Sequence, residues 1–96
     1  MRFIYKRQYL ERFDRFTATD KVRILTADQH IRTYYRTQKA PFGLRVKQLY
    51  AKGGEKVLEA RVSQDIRILW AERKDTVSFV LVARHDEVKR YIRLLR

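Results

Sequence analysis

The sequence predicts an α+β domain: an N-terminal helical hairpin packed on one face of a mostly antiparallel sheet of about four strands, with a short C-terminal helix. Three observations carry this. Before Pro41 the apolar residues recur at helical spacing. After Pro41 the period changes to two, with turn residues between the runs. The segment Thr76–Ala83 is apolar on both faces, as a central strand must be.

In order along the chain, Arg2–Tyr5 reads as a short first strand. Tyr9, Leu10, Phe13 and Phe16 form one helical stripe. Thr17-Ala18-Thr19-Asp20 offers N-cap chemistry for a second helix, on which Val22, Leu25, Ile31, Tyr34 and Tyr35 continue the stripe. The hairpin spans residues 7–38 and ends at Pro41 and Gly43, and its aromatics are expected in the core. Leu44–Tyr50 is the next strand, closed by a turn at Gly53-Gly54. Val57–Ser63 puts Leu58, Ala60 and Val62 on one face and Glu59 and Arg61 on the other. After the Ser63-Gln64-Asp65 turn, Ile66, Ile68 and Trp70 face the core, leaving Arg67 and Leu69 opposite. Arg73-Lys74-Asp75 turns into Thr76–Ala83, and Asp86–Leu95 is a basic helix with Val88, Tyr91, Ile92 and Leu95 on its apolar side.

Ninety-six residues make a single domain, 1–96. With no cysteine, disulfides and thiolate metal sites are excluded, which fits a reducing, cytoplasmic setting. The N-terminus has no apolar signal-peptide region, and no apolar run is long enough to cross a bilayer, so no membrane partner is expected. Lys plus Arg number 23 against 11 Asp plus Glu, a formal net charge of +12, which points to a polyanion. The charge is patched. Between Gln29 and Gly54 there is no acid but Arg32, Arg36, Lys39, Arg45, Lys47 and Lys52; beyond Glu87 come Lys89, Arg90, Arg93 and Arg96.

The chemistry-bearing residues are Arg61 and Arg67 on neighbouring strands, and His85 where a strand ends in Arg84-His85-Asp86. Guanidinium groups beside an imidazole suit a phosphodiester. Metal-free RNA cleavage needs a base for the 2′-hydroxyl, cations for the charge on phosphorus and an acid for the 5′-oxygen. Arginine fits the second role and histidine the first or third. His85 could equally pack or cap, and the two arginines could be ordinary solvated strand positions. His30 reads as an ordinary mid-helix residue. Two distant histidines make a poor metal site, and Gly53-Gly54 is a hairpin turn rather than a phosphate loop, so no metal or cofactor is expected.

Taken together, the paired helices, PFGLRVKQL, EARVSQDIRILW and FVLVARHDEVKRY resemble the RelE/ParE toxin superfamily, from Lys6 to Tyr91. The resemblance implies a type II toxin neutralised by a cognate antitoxin. RelE-like members cleave mRNA on the ribosome as endoribonucleases (mRNA interferases); ParE-like members poison DNA gyrase. It implies that Arg67 contacts the scissile phosphate, that His85 is a general acid, that Tyr91 stacks on a base or acts as one, and that Arg61 supports them. Lys47, Lys52, Lys56, Arg84 and Arg90 are the candidate RNA contacts. The implied partners are an acidic antitoxin, covering the Arg61/Arg67 face or displacing the C-terminal helix, and the ribosome with its mRNA. The free protein is expected to be a monomer.

The sequence also departs from the RelE pattern. The lysine pair of RelE is absent from Val57-Leu58-Glu59-Ala60, Ile66 stands where tyrosine is common, and Asp86-Glu87 follow His85. A ribosome-dependent nuclease, a gyrase poison without nuclease activity and an inactive basic binding module all remain open at this point.

Overall fold

The computed structural model describes residues 1–39 and 43–95. Pro41 as a helix stop and Arg96 as part of the basic terminus lie outside the described residues. The elements are β1 (Arg2–Tyr5), α1 (Arg7–Asp14), α2 (Ala18–Thr37), β2 (Lys47–Lys52), β3 (Glu55–Arg61), β4 (Ile66–Arg73), β5 (Thr76–Arg84) and α3 (His85–Leu95).

Strands β2 to β5 form the antiparallel meander, and the five-stranded sheet has the order β1-β5-β4-β3-β2. The count exceeds the expected four because β1 joins the sheet, parallel to β5, with Arg2 opposite Thr76 and Tyr5 opposite Phe79. After β1 the chain runs through α1 and α2 before β2 begins at the other edge. β5 therefore lies between β1 and β4, and it is apolar on both faces because a core packs on each: Val77, Phe79 and Val82 on one side, Leu81 and Ala83 on the other. At the β2–β3 turn, Gly53 and Gly54 both take positive φ (60° and 81°), the left-handed pair that a tight hairpin requires.

Helix α2 is capped at both ends by its own sequence. Thr17 is extended, and its Oγ1 accepts from the Asp20 N–H at 3.2 Å. Gln38 adopts φ 62° and donates its N–H to Tyr34 O at 2.8 Å, so the left-handed cap ends the helix before Pro41. The buried stripe keeps Ile31 and Tyr35 of the expected residues but not Val22 and Leu25. Ile24, Ala27 and Ile31 face the sheet, whereas Val22 and Leu25 are 63% and 52% exposed. Apolar residues lie on both sides of this helix, and the side with the small Ala27 is the one that meets the strands.

Two cores result. The larger lies between the helical hairpin and the sheet, where Ile24 and Ile31 meet Leu58, Ala60, Ile66, Ile68, Trp70 and Phe79. Trp70 donates Nε1–H to Tyr35 Oη at 2.6 Å, and Tyr35 donates to Glu72 at 2.7 Å. The smaller core lies on the opposite face, where Val88 of α3 packs with Val57, Leu69, Leu81 and Ala83. This corrects the expectation of a solvated second face: α3 folds back over it, and Arg67 is only 7% exposed.

Where β1 meets α2, Tyr5 donates to Asp28 at 2.5 Å and accepts from Arg32. Burial, and then the bond to Asp28, pushes the Tyr5 phenol from 10.0 up to about 12. Burial also raises Tyr9 and Tyr35. The fold thus favours the neutral phenols. The Tyr5 contribution is complete below pH 10.0 and is lost as pH rises through about 12. Urea midpoints should fall across that window, less steeply in Tyr5→Phe; a midpoint independent of alkaline pH would contradict this.

Candidate active site

His85 is placed by the absence of a loop: β5 ends at Arg84 and α3 begins at His85. Its N–H donates to Asp65 O at 2.8 Å, so the β3–β4 turn fixes the start of the helix. Asp86 and Glu87 in the first turn complement the helix dipole.

Along α3, His85, Lys89 and Arg93 recur every four residues and share one flank. That flank faces β2 and β3 across a cleft of about 310 Å³. Lys47 and Glu59 supply its other polar wall, and Leu49, Val88 and Ile92 its apolar surface. Lys47 and Glu59 are direct cross-strand partners. Behind Glu59 lies Arg67, with Nε 3.9 Å from Oε1. Among the described residues, the Nδ1 of His85 is buried with no hydrogen-bond partner.

The sequence-derived candidates divide around this cleft. His85 and Lys47 line it. Arg67 is adjacent but buried, and its Nη1 donates to Ser63 O (2.7 Å), Gln64 O (3.0 Å) and Ile66 O (3.2 Å). The expectation that Arg67 lies off the core on an open sheet face is therefore wrong. Arg61 stands across from Arg67 in register, its N–H donates to Leu44 O at 2.9 Å, and it helps line a separate cleft beside α2. Tyr91 is not part of the His85 flank: it points towards α1, where its hydroxyl accepts from Gln8 Nε2 at 3.5 Å. Lys52 and Lys56 flank the β2–β3 hairpin turn, away from Lys47. Arg84 is exposed, paired with Asp65 at 2.7 Å and placed over the Phe16 ring. The Arg84 guanidinium, the larger cause, and the His85 N–H hold the Asp65 carboxyl below its ordinary range. Arg90 is exposed on α3.

Glu59, Lys89 and Arg93 were missed as site residues. The signals were present: the four-residue recurrence after His85, and the alternation that set Glu59 on the face opposite Leu58. The acids after His85 do not crowd the cleft, because Glu87 turns to α1 and pairs with Arg12. Among the described residues no cluster of three or more His, Asp or Glu could hold a metal ion, and no helix is long and apolar enough to cross a membrane.

No family model and no curated protein matches the chain. Solved structures do. A chain of a RelB–RelE antitoxin–toxin complex from Methanococcus jannaschii is 14% identical, with 92% of this chain and 96% of that one covered and a TM-score of 0.65. A chain of the E. coli DinJ–YafQ complex gives 15% identity, 92% and 98% coverage and a TM-score of 0.67. A YoeB/ParE toxin from Agrobacterium tumefaciens gives 16%, 88% and 99%, and 0.64. The chain therefore has the fold of the RelE/ParE-type toxins.

Proposed function

We propose that this protein is the toxin of a type II toxin–antitoxin pair and that it cleaves ribosome-bound mRNA without a metal ion. The observation that carries this reading is the cleft in which Glu59 and His85 stand together among Lys47, Lys89 and Arg93. It holds an acid–base pair and a surplus of cations, the complement that phosphodiester transfer needs.

Glu59 takes the proton of the 2′-hydroxyl as the 2′-oxygen bonds to phosphorus. Lys47, Lys89 and Arg93 oppose the charge that grows on the phosphoryl oxygens. The bond from phosphorus to the 5′-oxygen breaks, and His85 gives that oxygen a proton. The products are a 2′,3′-cyclic phosphate and a 5′-hydroxyl. Glu59 supplies a base on the strand where the RelE lysines are absent.

The partners proposed with this activity are the ribosome and an acidic antitoxin drawn to the cationic surface. The fold is shared with a toxin whose name includes ParE, so the test must separate cleavage from gyrase poisoning. Ribosomes programmed with a defined mRNA should lose the full-length message when purified protein is added, while gyrase supercoiling in a parallel assay continues. Intact mRNA with inhibited supercoiling would replace this reading with the gyrase one.

A further inference from the structure

We propose that Arg67 is a positioning residue: it fastens the Ser63–Asp65 turn that holds His85, and it supports Glu59 from behind. The proposal rests on the reading of the cleft as a cleavage site. It differs from what the sequence resemblance implies for Arg67, a direct contact with the scissile phosphate.

The geometry is specific. Arg67 is almost wholly enclosed, and it is not among the residues that line the cleft. One guanidinium nitrogen serves three carbonyl oxygens, those of Ser63, Gln64 and Ile66. The Nη1 donors committed in this way are not free to receive a phosphate, and withdrawing them would remove the side-chain ties that hold the turn at Ser63 and Gln64. On its outer side the same turn receives α3. Asp65 O accepts the His85 N–H at 2.8 Å, and the Asp65 carboxylate takes Arg84 Nη1 at 2.7 Å. At the other end of the guanidinium, Nε lies 3.9 Å from Glu59. A single buried side chain thus reaches Glu59 directly and His85 through the turn. It sets the separation of the two groups that exchange protons with the substrate.

The test compares Arg67→Gln and Arg67→Lys with the parent as full-length proteins, using ribosome-bound mRNA and a single-stranded RNA oligonucleotide. Misplacement on the scale of an ångström costs about a hundredfold in rate, so cleavage in a single turnover should fall by about that factor in Arg67→Gln. Arg67→Lys, which keeps a cationic donor for the carbonyls, should recover part of the loss. Oligonucleotide affinity and its salt dependence should match the parent in both variants. The His85 amide should exchange faster with solvent in both, while the amides at the centre of β5 keep their rates.

A salt slope reduced by about 0.7 on single strands, the value of one lost phosphate contact, with His85 exchange unchanged, would overturn the proposal in favour of direct contact. So would parent-like rates and exchange in both variants. If Arg67→Gln unfolds, Arg67→Lys decides alone. If the parent cleaves nothing, the cleavage reading fails by itself, and amide exchange and salt slope still report what Arg67 holds.

Discussion

Purified His85→Gln protein should cleave ribosome-bound mRNA on the order of a hundredfold more slowly than the parent, or worse, while binding ribosomes equally well. Glutamine keeps a polar side chain at the start of α3 but cannot pass a proton to the departing 5′-oxygen. Glu59→Gln should show a loss of similar size for the complementary reason, since an amide cannot take the proton of the 2′-hydroxyl. Because the two groups act in one step, the double variant should be far less impaired than the product of the single losses. The His85 side chain borders the cleft rather than the main core, so His85→Gln should keep the parent's unfolding midpoint, whereas Glu59→Gln, which leaves the buried Arg67 without its acid, should lower it. A His85→Gln protein that cleaves at the parent rate would remove His85 from the chemistry. The same result for Glu59→Gln would place the base elsewhere.

Trp70→Ala should be the most damaging single change to the fold. Trp70 is 0% exposed at the centre of the larger core. Deleting a buried tryptophan costs about 3–5 kcal/mol. Small domains hold only about 5–15 kcal/mol in total. The change also removes the donor to Tyr35 Oη. The variant should be largely unfolded or have a urea midpoint well below the parent's. Trp70→Phe keeps most of the apolar volume and loses one hydrogen bond, so it should cost about 1 kcal/mol from that bond plus a smaller packing loss. Parent-like unfolding of Trp70→Ala would mean that the core is not centred on this ring.

The meander was readable because each of its signals is local. Gly53-Gly54 and Ser63-Gln64-Asp65 mark turns, and Ile66, Ile68 and Trp70 alternate onto one face. Thr17 and Asp20 announced the start of α2 in the same way. What remained hidden depends on contacts between distant segments. The pairing of β1 with β5 joins the two ends of the chain, and no local pattern encodes it. The phase of α2 could not be read because apolar residues lie on both of its sides; the sheet selects the side with Ala27. Arg67 occupies an alternating position that reads as solvent-facing, and it is buried only because α3 returns over that face. For the site, His85 and Lys47 were legible as cations or imidazole in a basic context. Glu59 was seen as a strand position but not as chemistry, because its meaning comes from Lys47 across the strand pair and His85 across the cleft.

The chemistry of the cut ends tests the central claim most directly. Transfer through the 2′-oxygen, driven by Glu59 and His85, leaves a 2′,3′-cyclic phosphate on the upstream fragment and a 5′-hydroxyl on the downstream one. Cut mRNA from programmed ribosomes should therefore be resistant to direct 5′ ligation and should become a substrate after treatment with a polynucleotide kinase. Fragments that carry 5′-phosphates and 3′-hydroxyls would show attack by water instead and would contradict the account.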